Sequence, residues 1–141
     1  LSINIDDEAD RERLRAHGFT VTSPLAASLD PWTYQGFFRT ARAEWTVAKD
    51  QNVRLRSGWF SERAACYLAP GKPVITQSTG FENVLPTGTG LFAFRDMDEI
   101  GEAIETIESD YGAACRSARA VAEEYLEATR VCRKLVEDIG L

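Results

Sequence analysis

A chain of 141 residues, 44% hydrophobic and 27% charged, is about one domain long and would bury roughly two-thirds of its unfolded surface. Its net charge of −6 excludes the dense basic face that a generic nucleic-acid surface needs. No apolar run approaches the ~18 residues of a membrane span and no signal peptide is visible, so a cytoplasmic protein is expected. Acids gather near the N-terminus (Asp6, Asp7, Glu8, Asp10) and in the last third. The stretch from Arg39 to Arg63 is locally basic, with Arg39, Arg42, Lys49, Arg54, Arg56 and Arg63 against Glu44, Asp50 and Glu62.

In chain order, Asp6 to Ala16 carries helix formers and alternating charge, with Gly18 placed as the C-terminal cap. Phe19 to Ser23 reads as a short strand ended by Pro24. Asp30-Pro31 is a helix start, Asp as N-cap and Pro in the first helical position, for a helix through Tyr34, Phe37, Phe38 and Ala41. Glu44 to Ala48 reads as a strand leading into a turn over Lys49 to Asn52. Ser61 should cap a helix from Glu62 to Leu68, stopped at Pro70-Gly71.

Pro73 to Gln77 reads as a buried strand, Gly80 to Pro86 as a loop, and Gly90 to Phe94 as another strand. Asp96 to Glu99 has the form of a capping box ahead of the apolar stripe Ile100, Ala103, Ile104 and Ile107. Helices over Tyr111–Leu126 and Thr129–Ile139 close the chain. Strands alternating with helices predict an α/β fold, a Rossmann-like parallel sheet flanked by helices with a helix-rich C-terminus, in one domain over residues 1–141.

Ligands of such sheets bind outside the carboxyl ends of the strands. Lys49, the Gly58–Arg63 loop and the Gln77–Phe81 loop each follow or adjoin such an end and should share one rim. Ser61 and the N–H groups of Glu62 and Arg63 suit a diphosphate, with Arg63 and Lys49 supplying charge; the plain alternative is a capped helix with surface cations. Trp59 and Phe60 either stack on a ligand or pack in the core. Thr79-Gly80-Phe81 is a tight turn that allows close backbone approach. Glu82 is a rim carboxylate with no evident structural duty, placed to touch sugar hydroxyls.

Other features read as structure. Cys66, Cys115 and Cys132 lie in helical patterns without a CxxC pair and are expected as buried, reduced thiols, and with His17 alone no zinc set can be drawn. His17 is expected as a helix cap, and Trp32, Trp45 and Trp59 mainly as core. The Pro86–Gly90 run PTGTG precedes a strand instead of opening a helix, so it reads as a turn and not a phosphate loop.

The order of several local patterns also resembles a known family. They include Arg15 to Phe19, Asp30-Pro31 with Tyr34, Val47-Ala48-Lys49, and Gly58-Trp59-Phe60-Ser61 with Arg63. Tyr67-Leu68-Ala69 with Gly71, Pro73-Val74, Gln77 with Thr79-Gly80-Phe81, Leu85 to Gly88 and Gly90 to Phe94 continue the series, and Asp110-Tyr111, Ala118-Arg119 and Ala122 to Tyr125 close it. Together they are similar to the C-terminal, nucleotide-sugar-binding half of bacterial GT-B-type, group-1-like glycosyltransferases.

The resemblance implies a hexosyl-type transferase whose donor is a nucleoside-diphosphate sugar, with no separate cofactor and no metal. Its donor-binding residues would be Lys49, Gly58, Trp59, Phe60, Ser61, Glu62, Arg63, Gln77, Thr79, Gly80 and Phe81, with Glu82 toward the sugar. The catalytic residues are not assigned. Many retaining members carry two Glu residues, one near the sugar and one on the ribose; alignment on Gly71-Lys72-Pro73 puts Gly58 and Cys66 there, and neither can bond as a carboxylate does. A non-catalytic sugar-nucleotide-binding or scaffolding domain is therefore the alternative.

The start at Leu1 and the family's two-domain plan together imply a piece of a longer protein whose N-terminal half holds the acceptor. The stripe Val131, Leu135 and Ile139 would pack toward that half, and these residues alone would not turn over substrate.

Overall fold

The computed structural model describes residues 5–140, which divide into two compact units, one ending at Thr40 and the other beginning at Ala41. Among these residues no helix is long and apolar enough to cross a membrane.

The first unit is helical. Helix α1 (Glu8–Ala16) opens where the Asp7 side chain accepts from the Ala9 N–H, and it closes at His17, with Gly18 at φ +83°. The His17 Nδ1 lies 2.8 Å from the Arg13 carbonyl oxygen, the structural cap expected of it. The predicted strand over Phe19–Ser23 does not form. Within this stretch Thr22 alone is in a β-bridge, and among the described residues no continuous strand pairs with it. A short helix α2 (Pro24–Ala27) follows instead. Asp30 then opens α3 (Pro31–Thr40), accepting from the N–H groups of Trp32 and Thr33, while Tyr34 and Phe38 meet edge to face one turn apart.

The second unit is mixed α/β. Three parallel strands, β1 (Glu44–Thr46), β2 (Val74–Gln77) and β3 (Leu91–Phe94), lie side by side in chain order, with Trp45 opposite Ile75 and Ile75 opposite Phe92. Lys49 to Asn52, expected as a turn, belongs to a short helix α4 (Asp50–Arg54) with Lys49 at its N-cap. Helix α5 (Glu62–Leu68) starts on Ser61, whose Oγ accepts from the Arg63 N–H.

Helix α6 (Met97–Ser109) is capped by Asp96 through the Glu99 N–H. The reciprocal half of the box is displaced by one residue, since Glu99 accepts from the N–H of Arg95. Asp96→Ala is expected to cost about 1 kcal/mol of stability, readable in urea denaturation as a lower midpoint at constant slope. Helices α7 (Tyr111–Tyr125) and α8 (Ala128–Asp138) complete the unit.

The two faces of the sheet are covered by different helices. On one face Ile75, Phe92 and Phe94 pack with Ile100, Ala103 and Ile107 of α6 and Ala114 of α7. Ile104, expected in that stripe, is 49% exposed. The other face carries Glu44 and Thr46, two residues apart and both reached by Arg63 of α5. Strand alternation turns Trp45 the opposite way, where it stacks on Phe94 and stays half exposed.

Two glycines set the edge opposite the candidate rim. Gly90, just before β3, lies so close to α7 that a Cβ there would fall 2.1 Å from the Ala118 nitrogen. Gly71, just before β2 at φ +78°, would bring a Cβ to 3.0 Å from the Cys115 carbonyl oxygen. The PTGTG run is thus a turn, with Gly88 at φ +111° donating to the Leu91 carbonyl and Gly90 giving α7 its seat.

Two expectations about side chains are corrected. Trp32 and Trp59 are exposed along with Trp45, so none of the three is a core residue. Cys66 and Cys132 are exposed and Cys115 is half-buried, because each falls on a polar or uncovered side of its helix. The α8 stripe of Val131, Leu135 and Ile139 is open to solvent.

Candidate functional site

At the carboxyl ends of the strands the chain brings three segments together. Lys49 follows β1, and next to it the Ala48 N–H donates to the Gln77 side-chain oxygen at the end of β2. Beyond β2 the chain enters the Ser78–Glu82 loop. Gly58 donates its N–H to the Thr79 carbonyl at 2.8 Å, and the Thr79 hydroxyl donates to the Trp59 carbonyl at 2.6 Å. Thr79 is fully buried, so this pair of bonds binds the Gly58–Phe60 loop to the end of β2.

The approach of these loops explains two glycines. Gly80 sits at φ +97°, and a Cβ on it would stand 3.1 Å from the Arg56 carbonyl oxygen. Gly58 takes φ +74° with open space around it, so its backbone conformation alone demands glycine there. Arg56 at φ +45° is the non-glycine residue the described backbone holds in the left-handed region, a conformation costing on the order of 1 kcal/mol.

Glu82 has a structural duty after all. It accepts from the Ser78 hydroxyl at 2.5 Å, the Gly80 N–H at 3.0 Å and Arg56 Nη2 at 3.2 Å, and so ties the turn to the neighbouring loop. Desolvation would raise its carboxyl, but the hydrogen bonds from Ser78, its own backbone N–H, Gly80 and Arg56 outweigh it. The group sits below the ordinary carboxylate value and is ionised at neutral pH. Phe81 is buried and stacks at a tilt on half-buried Phe60, 5.2 Å between ring centroids, which gives both rings a packing role. Trp59 keeps 37% of its surface exposed.

Ser61 is buried as the cap of α5, and Glu62 is exposed beside it. Arg63 points back to β1: its Nε donates to Glu44 Oε1 at 2.6 Å and its Nη2 to the Thr46 hydroxyl oxygen at 2.7 Å. Burial pushes the Glu44 carboxyl up, and the bond and charge of Arg63 pull it down without cancelling the rise. Lys49 is exposed and takes part in none of the ion pairs among the described residues.

Much of the basic stretch is neutralised locally. Arg42 forms a bidentate pair with Glu108 and lies over the Tyr111 ring, Arg54 meets Asp50, and Arg56 meets Glu82. Among the described residues no group of three His, Cys, Asp or Glu side chains is placed to hold a metal ion. A shallow groove of about 310 Å³ between α5 and α7, floored by Ala65, Ala69, Ala122 and Leu126, shares no residue with the rim.

The sequence reading did not single out Glu44, Thr46, Ser78 or Arg56. For Glu44 and Thr46 a signal existed: a carboxylate and a hydroxyl alternate with Trp45 on a short strand, and an Arg stands in the first turn of the helix before the next strand. No protein-family model, no curated protein and no solved structure matches the chain.

Proposed function

We propose that this chain is the donor-binding half of a cytoplasmic, bacterial GT-B-like glycosyltransferase, a Rossmann-like domain that takes a nucleoside-diphosphate sugar. The observation that carries the reading is the meeting of Lys49, the Gly58–Arg63 loop and the Gln77–Glu82 loop at the carboxyl ends of three parallel strands. The sequence resemblance supports the same place and the same ligand.

In this reading Lys49 and Arg63 stabilise the charge that develops on the departing nucleoside diphosphate, which is the contribution fixed cations make to such a transfer. The loops are tied to one another through Gly58, Thr79 and Glu82, which limits the ordering cost of binding. Trp59, at the edge of the loop, offers a ring face to a base or sugar. The acceptor and the rest of the cleft come from a second, N-terminal domain.

A second reading, a non-catalytic sugar-nucleotide-binding domain, is favoured by one observation. Alignment on Gly71-Lys72-Pro73 puts Gly58 and Cys66 where many retaining members of the resembled family carry a Glu pair, and neither side chain bonds as a carboxylate does.

Titration of the chain with UDP, GDP, TDP and ADP by calorimetry or NMR is expected to give saturable binding for one of them at or below millimolar concentration. Absence of binding by all four refutes both readings. Donor hydrolysis or transfer is expected only when an upstream acceptor domain is joined to the chain; turnover by the 141 residues alone overturns the half-enzyme assignment.

A further inference from the structure

A half-exposed arginine in the first turn of a surface helix ordinarily pairs with whatever exposed carboxylate is near, and such pairs hold it loosely. Arg63 is held by other means. Its Nε and Nη2 donate to Glu44 and Thr46 across 19 and 17 residues of sequence, at 2.6 and 2.7 Å. Bonds from two different nitrogens fix both the position and the tilt of a planar guanidinium. The acceptors share one face of β1 and are buried, while 47% of the Arg63 side chain is open to solvent.

This arrangement carries a cost. Glu44 Oε2 is buried and accepts no hydrogen bond among the described residues. Apolar residues of similar volume would serve the core at least as well as a buried ion pair. What the buried acid and hydroxyl achieve, and apolar residues would not, is a fixed direction for the guanidinium of a half-exposed arginine that closely follows the Gly58–Phe60 loop in the chain.

We propose that Glu44 and Thr46 are positioning residues that set the Arg63 guanidinium for an anionic ligand of the diphosphate class, an inference that rests on the donor-binding reading above. The sign of the effect separates positioning from simple charge. If Glu44 only neutralised Arg63, removing its charge would make the rim more positive and tighten anion binding. A positioning role requires the reverse.

The test titrates inorganic pyrophosphate and UDP into the full chain and its Glu44→Gln and Thr46→Val variants, each verified as folded by circular dichroism. Glu44→Gln is expected to bind about tenfold more weakly, and Thr46→Val about threefold more weakly, as loss of an oriented charge-assisted bond implies. The Arg63 Nε–H is expected as a resolved, slowly exchanging NMR signal in the wild type that is lost in Glu44→Gln, a readout that needs no ligand. Should Glu44→Gln fail to fold, Thr46→Val decides, because it keeps the volume and the ion pair and removes only the second acceptor.

Variants that bind as tightly as the wild type or more tightly overturn the positioning role alone. So does a wild-type Nε–H that exchanges as fast as an exposed arginine's. A wild-type chain silent toward both probes overturns the donor-binding reading, and the positioning role falls with it.

Discussion

Gly90→Ala is expected to destabilise the second unit by about 3 kcal/mol or more, at the upper end of the range for forcing extra volume into a packed site. The new methyl would stand 2.1 Å from the Ala118 nitrogen and 2.6 Å from both the Ala118 Cα and the Ser117 carbonyl carbon. All three are backbone atoms of α7, so no rotamer change relieves the overlap and the helix must lift from the start of β3. Ala114, Ala118, Val121 and Ala122, buried along α7, would lose contact together. For a unit of this size the loss amounts to a fall in melting temperature on the order of 10 °C. Thermal denaturation followed by far-ultraviolet circular dichroism reads it directly. A variant melting within a degree or two of the wild type would show that α7 does not sit on Gly90. Gly88→Ala, at a site with open space, separates a backbone-conformation cost from a packing clash.

Arg63→Ala is expected to cost about 2–3 kcal/mol at neutral pH, below the range for fully buried pairs because Arg63 is itself half exposed. The penalty falls on Glu44, which remains buried with its charged partner gone. Its pH dependence follows from the raised Glu44 carboxyl. Below the ordinary carboxylate value, 4.5, Glu44 is protonated in both folded and unfolded chains and folding carries no charge penalty. As pH rises through the interval between that value and the raised folded one, the unfolded chain releases its proton first and stability is lost. Removing Arg63 takes away the pull that lowers the folded carboxyl, so the interval widens. The difference between variant and wild type should therefore be small below the ordinary value of 4.5 and grow as pH rises above it. Urea midpoints measured across this range test it. Adding Glu44→Gln to Arg63→Ala should recover most of the loss at neutral pH. A difference that does not vary with pH would assign the cost to lost packing of the arginine stem instead.

Local chemistry was legible without the structure wherever a few neighbouring residues decide the outcome. Asp30 before Pro31, Ser61 before Glu62 and Asp96 before its apolar stripe cap helices as their side chains predict, because an N-cap needs only an acceptor within three residues. The strands at 73–77 and 90–94 were equally visible, being short apolar runs bounded by Pro and Gly, and both lie in the interior of the unit. Their parallel order followed from alternation with helices, and with it the end of the sheet at which the segments around Ala48, Gly58 and Thr79 are bonded together.

Tertiary structure decided what depends on distant partners. Phe19 to Ser23 has strand composition, yet strand formation requires a continuous neighbour that the sequence does not specify locally. Trp45 is apolar but sits on the strand phase that leaves it half uncovered, and the exposure of Trp32, Cys66 and Cys132 was likewise a matter of which sides their helices leave open. Gly90 reads as one more turn glycine until α7, nearly thirty residues later, is laid against it. Glu82 looked idle because its three donors come from a turn and a neighbouring loop whose mutual approach is a folded property. The grip of Glu44 and Thr46 on Arg63 is the clearest case. Strand alternation fixes that the two acceptors share a face, but only the placement of α5, packed against β2 and α7, determines that the face meets an arginine and that one carboxylate oxygen is left buried without a donor among the described residues.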